Sequence, residues 1–176
     1  VLVVGAGVLY FLERAEDQAS AMLIRVTEQY ESLGENPDEA ALSEVEQQFR
    51  HLIDEYGYTD AGKMALLQFA GLSYRTGDYD RALSLYKDAY AAFENNPHFS
   101  RLALNAMAYT HAAKGDAEAA ISLFQRLVDD PGPALQPQAL FQLGLLYNQT
   151  GKTDKSRQAY ERLVSDFPDS VFAEPA

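Results

Sequence analysis

The sequence contains no cysteine. That excludes disulfides, thiolate metal sites, cysteine nucleophiles and a bacterial lipid anchor on an N-terminal cysteine. It has no stretch dense in lysine or arginine either, and its formal net charge is −12. Nucleic-acid binders draw much of their affinity from a basic face that neutralises phosphates, so nucleic acid is not an expected partner. Runs of alternating β-branched residues long enough for a strand are also missing, which leaves an all-helical reading. The remaining composition, 47% hydrophobic and 23% charged, suits a folded domain and not a disordered one.

A catalytic constellation is missing as well. His51, His98 and His111 do not combine with acids into a closed metal site. Asp54-Glu55 and Asp129-Asp130 are neighbours in sequence, and adjacent positions on a helix do not face each other. Gly5-Ala6-Gly7 lacks the strand–turn–helix context of a nucleotide loop. No catalytic residue, metal ligand or cofactor is therefore assigned, and the chain is not expected to be an enzyme. A helical enzyme domain stays as the alternative of another class.

What is present begins with Val1 to Leu12, VLVVGAGVLYFL, which carries no charge. As a helix this run covers roughly 18 Å against a hydrocarbon core of roughly 30 Å, so it cannot span a bilayer alone. It reads as the end of a transmembrane or hydrophobic anchor helix, with Tyr10 and Phe11 near the interface. The flank Glu13-Arg14-Ala15-Glu16-Asp17 holds one cation, which argues that it faces away from the cytoplasm. Two other readings are a signal-peptide core cut near Ala19-Ser20-Ala21 and a buried N-terminal helix.

The organising signal beyond residue 12 is a recurring turn, seen in Arg75-Thr76-Gly77-Asp78, Ala113-Lys114-Gly115-Asp116 and Gln149-Thr150-Gly151-Lys152. Gly77, Gly115 and Gly151 each follow a helix, where a left-handed cap favours glycine. Asp78 and Asp116 can then serve the start of the next helix. The glycines are 38 and 36 residues apart, slightly over the 34 of a tetratricopeptide (TPR) repeat. With the turn glycine set at the fifteenth place, the eighth and twentieth places hold Ala70 and Ala82, Ala108 and Ala120, and Gly144 and Ser156. Small residues belong there because the two helices of a pair cross at those places. Ser156 stands where alanine is usual.

The pattern predicts eight helices in four pairs, at about 1–33, 38–56, 60–76, 79–95, 98–114, 117–130, 134–150 and 153–167. The first pair is divergent and spans 13–57, with Asn36 as cap and Pro37 in the first turn of its second helix. The repeats proper run over about 60–97, 98–133 and 134–168. The loop Asp129-Asp130-Pro131-Gly132-Pro133 should be stiff.

Over residues 60–170 these repeats resemble the TPR superfamily. The resemblance implies an all-α solenoid of antiparallel helix pairs in a right-handed superhelix, built to hold other proteins or peptides. An apolar N-terminal helix runs into an acidic one, then a divergent pair, then Glu55-Tyr56-Gly57-Tyr58-Thr59-Asp60-Ala61. That arrangement is similar to the YfgM-like bacterial inner-membrane proteins. The similarity implies a membrane anchor, periplasmic repeats, and translocon or chaperone components as partners. A soluble adaptor, of Tol-Pal-like envelope assembly or of the cytoplasm, is the alternative, and open ends also admit self-association.

In TPR arrays the first helix of each pair lines the concave face. Its outward places here are Met64, Leu67, Gly71 and Tyr74, then Leu102, Asn105, Tyr109 and Ala112, then Gln138, Phe141, Leu145 and Asn148. Lysine and arginine are absent from these places, so a clamp on a C-terminal carboxylate is not expected. Met64, Leu67, Tyr74, Asn105, Tyr109, Phe141, Leu145 and Asn148 are the expected protein-binding residues.

Overall fold

The computed structural model describes residues 2–34, 37–130 and 132–174, with backbone alone for 2–6 and 133. Among these residues there are eight α-helices and no strand. They are α1 (Leu2–Ser32), α2 (Glu39–Tyr56), α3 (Asp60–Arg75), α4 (Tyr79–Ala92), α5 (Pro97–Lys114), α6 (Ala117–Asp129), α7 (Gln136–Gln149) and α8 (Thr153–Asp166). A 3-10 turn, Pro133–Leu135, precedes α7. The chain divides into two compact units, residues 1–93 and 94–176.

The three repeat turns share one backbone geometry. Gly77, Gly115 and Gly151 have φ of +80°, +92° and +74°. In each turn the residue after the glycine donates its N–H back across the helix end: Asp78 to Ser73 O, Asp116 to His111 O and Lys152 to Tyr147 O, at 2.8–2.9 Å. These are Schellman caps, which satisfy carbonyls a helix end would leave unpaired. Gly34, with φ +66°, ends α1 in the same left-handed region, although no repeat motif marks it.

The start of α2 differs from expectation. Asn36 lies outside the described residues, and Pro37 precedes the helix instead of entering it. Asp38 takes the cap position without a side-chain cap bond. The two aspartates of the repeat turns also part company. Asp78 Oδ1 accepts from Arg81 N at 3.2 Å, whereas Asp116 makes no cap bond and lies 3.4 Å from His111 Nδ1.

Within the second unit α5 packs on α6, α6 on α7, and α7 on α8. Its core gathers Leu104, Phe124, Leu127, Leu140, Leu143, Tyr147 and Leu163. The small residues sit where the helices cross: Ala108 and Ala120 are fully buried, and a Cβ on Gly144 would lie 2.4 Å from Tyr160 Cζ. Ser156 is buried beside them, and its hydroxyl donates to Gly144 O at 2.8 Å. The departure from alanine at that place is thus a hydrogen bond across the crossing. The loop after α6 is held by Arg101, whose Nε donates to Asp130 Oδ1 at 2.6 Å, and by Gln136, whose Nε2 donates to Val128 O and Asp130 O.

In the first unit α3 packs on α4, and α1 lies against both α2 and α3. Phe49 stacks on Phe69 with centroids 5.7 Å apart, in a core shared with the fully buried Leu52 and Leu72. Glu46 accepts from Arg50 on its own helix at 2.8 Å and from Arg81 of α4 at 2.7 Å. The first helix is fixed to α3 by Glu16, which accepts from the N–H groups of Asp60 and Ala61 at 2.7 and 3.1 Å. It therefore caps a helix other than its own. Among the described side chains of α1, Ala15, Ala19 and Val26 are buried, while Val8 to Leu12 are exposed. The reading of a wholly buried N-terminal helix fails for that stretch. Of the small-residue trio Ala19-Ser20-Ala21, Ala19 is buried, Ser20 is half-buried with its Oγ donating to Glu16 Oε1, and Ala21 is exposed.

The two kinds of glycine should respond differently to alanine. Gly115→Ala meets no neighbour, so its cost is the left-handed backbone alone, about 1–2 kcal/mol. Gly144→Ala drives a methyl into the Tyr160 ring and should cost about 1–3 kcal/mol. Urea unfolding in a double-mutant cycle with Tyr160→Ala should show coupling for position 144 and none for 115.

Candidate functional site

The expected binding residues fall into both units. In the first, Met64 and Leu67 are half-buried and Tyr74 is exposed, tilted against Tyr79 with centroids 5.6 Å apart. Beneath this helix the Tyr86 hydroxyl lies 3.8 Å from where a Cβ on Gly71 would stand. Burial first, and then the neighbouring Tyr30 and Tyr74, push the Tyr86 phenol up to about 12.

In the second unit α5 and α7 are joined by a side-chain hydrogen bond, Gln138 Nε2 donating to Tyr109 Oη at 2.8 Å. The Tyr109 ring meets Phe124 edge-on at 5.2 Å. Phe141 is half-buried between Tyr160 and Phe172, at 6.0 and 5.9 Å. Leu102, Leu145 and Asn148 are exposed. Asn105, half-buried on α5, keeps its side-chain oxygen shielded from solvent with no hydrogen-bond partner.

The expected residues therefore do two kinds of work. Tyr109 and Phe141 are packed into the core edge, so truncating them removes ring contacts along with any binding surface. Asn105, Leu145 and Asn148 are not taken up by such ring contacts, and neither is Leu102, an outward place that was not among the expected binding residues. Position within the repeat could not separate the two groups, because the partners Phe124, Tyr160 and Phe172 come from other helices and from the turns after α8. Phe172 in particular has no counterpart in the repeat register that would announce it.

Among the described residues no cluster of three or more histidines and acids forms that could hold a metal. No helix there is long and apolar enough to cross a membrane.

A family model described as a tetratricopeptide repeat-like domain matches residues 1–173. Curated relatives include the photosystem I assembly protein Ycf3 of Prochlorococcus marinus (strain MIT 9303), 31% identical over 115 residues. That match covers 64% of this chain and 62% of the relative, so the chain spans less than two thirds of the relative's length. Similar solved structures include a tetratricopeptide repeat protein from Parabacteroides merdae, with TM-score 0.67 and 20% identity over 89% of this chain and 56% of that one. Another is BtubC from P. vanneervenii, with TM-score 0.55 and 20% identity over 90% of this chain and 74% of that one. At such identity these structures show the fold alone, that of a helical repeat.

Tyr86 supplies a pH test of the packing below Tyr74. Its folded pKa lies above the unfolded value of 10.0, so its contribution is whole below pH 10 and is lost as pH rises through the folded value. Unfolding free energy should fall by up to about 2 kcal/mol across that window. Tyr86→Phe should remove the Tyr86 share of this slope in urea titrations, leaving that of Tyr147 and Tyr160, whose phenols burial also pushes up.

Proposed function

We propose, since the chain belongs to the tetratricopeptide repeat-like domain family and carries its protein-interaction fold, that the α5–α7 face of the second unit holds an extended segment of a partner protein. The observation that carries this reading is Asn105. Its side-chain oxygen is shielded and unpaired, and buried polar atoms are normally satisfied. A peptide N–H laid along α5 would satisfy it once the amide turns outward to another rotamer. Leu102 and Leu145, both exposed, would flank that backbone with apolar contacts. The Tyr109–Gln138 bond holds the two helices in register beneath.

The place of this activity is a membrane surface. Val8 to Leu12 present an uncharged apolar stretch to solvent, followed by a flank with one cation. This favours a chain held by α1 at a bacterial inner membrane with its repeats on the periplasmic side. Components of the translocon, or chaperones acting on emerging chains, are the partners this placement suggests.

The test uses residues that make none of the ring contacts described above. Asn105→Ala combined with Leu102→Ser and Leu145→Ser should reduce partner capture about tenfold or more. Helicity should be unchanged and stability should shift by no more than about 0.5 kcal/mol per surface change. Capture at wild-type level in a quantitative pull-down would remove the α5–α7 face from consideration.

A further inference from the structure

We propose that Tyr10, Phe11, Tyr56 and Tyr58 form an aromatic collar that seats the first unit in the headgroup boundary of a lipid bilayer. The proposal rests on the membrane placement above and adds which face of the folded unit meets lipid. The four rings line one groove of about 440 Å³. Two come from α1 and two from the α2–α3 corner, more than forty positions along the chain. Tyr10, Phe11 and Tyr58 are 64%, 63% and 52% exposed, an unusual cost for rings facing water alone.

The occupant follows from how the apolar surface is distributed. Val8, Leu9, Tyr10, Phe11 and Leu12 are all exposed. Five consecutive helical residues turn through more than one full circle. A protein groove, or a second copy, covers one face of a helix. A helix that is apolar all round calls for an apolar surrounding, which lipid supplies.

The collar sits where this surface ends and charge begins. Tyrosine places an apolar ring and a hydroxyl across such a boundary. The groove holds one cation, Arg14, and one anion, Glu55, so it is neutral within a chain of net charge −12. Attraction to anionic headgroups therefore contributes nothing, and apolar burial must supply the affinity. The corner that carries Tyr58 is held in shape: Thr59 N and Thr59 Oγ1 both donate to Tyr56 O, at 2.8 and 2.6 Å. The corner is tied to α1 by Gln18, whose side-chain oxygen accepts from Tyr56 Oη at 3.4 Å, and by Glu16, which accepts from Asp60 N and Ala61 N.

The chain has no tryptophan, so Tyr58→Trp introduces a single reporter. With phosphatidylcholine vesicles its emission should shift to the blue and be quenched by brominated acyl chains. Tyr90→Trp on α4 should show neither effect. The pair Tyr56→Ser and Tyr58→Ser should weaken vesicle partition about tenfold, and doping the vesicles with phosphatidylserine should weaken it further. Vesicle binding that leaves the indole of the Tyr58→Trp chain unquenched overturns the collar and leaves the membrane placement standing. Absence of binding by the unsubstituted chain overturns both. An indole already blue-shifted without lipid, in a dimer that dissociates on dilution, assigns the surface to a second copy and overturns the proposal.

Discussion

Close approach of paired helices is the constraint from which the rest of this structure follows. At each crossing in the three repeats the eighth and twentieth places carry Ala70 and Ala82, Ala108 and Ala120, or Gly144 and Ser156, all buried. Because these side chains are small, the larger ones must fill the space to either side. That is where Phe69, Phe124 and Tyr147 go. The Schellman turns follow from the same need. A helix that must return along its partner has to reverse within a few residues, and the left-handed glycine achieves this while satisfying the last carbonyls. Gly144 takes the constraint to its limit, with the Tyr160 ring lying where a Cβ would be.

The order of helices was legible because its signals are local. Turn glycines, caps and periodic apolar positions set α3 to α8 to within about three residues at each end. The less legible features depend on residues distant in sequence. Glu16 gives no sign that it will cap α3, because its partners are backbone N–H groups more than forty positions away. Ser156 looked like a departure until the Gly144 carbonyl stood opposite it. Likewise, repeat position placed Tyr109 and Phe141 among the outward residues, but Phe124, Tyr160 and Phe172 take up their rings. The outward character of Leu102 and Leu145 was legible because nothing distant competes for them.

Electrostatics divides the structure between positioning and packing. Arg101 and Asp130 close the loop after α6, and that contact holds the Asp130 carboxyl below its usual range, chiefly through the Arg101 hydrogen bond. Glu46 gathers Arg50 and Arg81 at the junction of α2 and α4. Other ion pairs, such as Arg157 with Asp154 and Glu161, lie on the open surface of α8 and contribute little to stability. The strongly acidic balance therefore acts mainly on solubility and on which surfaces are avoided. Against it stand two surfaces without net charge, the α5–α7 face and the groove beside α1.

The long first helix has a mechanical consequence. From Leu2 to the Glu16 contact it is continuous, a rigid rod of roughly 21 Å at the usual helical rise. No loop or glycine-rich hinge separates Val8–Leu12 from Ala15 and Ala19, which are already buried in the fold. A flexible leash would let the folded body tumble. This rod transmits torque, so whatever grips its apolar end also sets the tilt of the first unit.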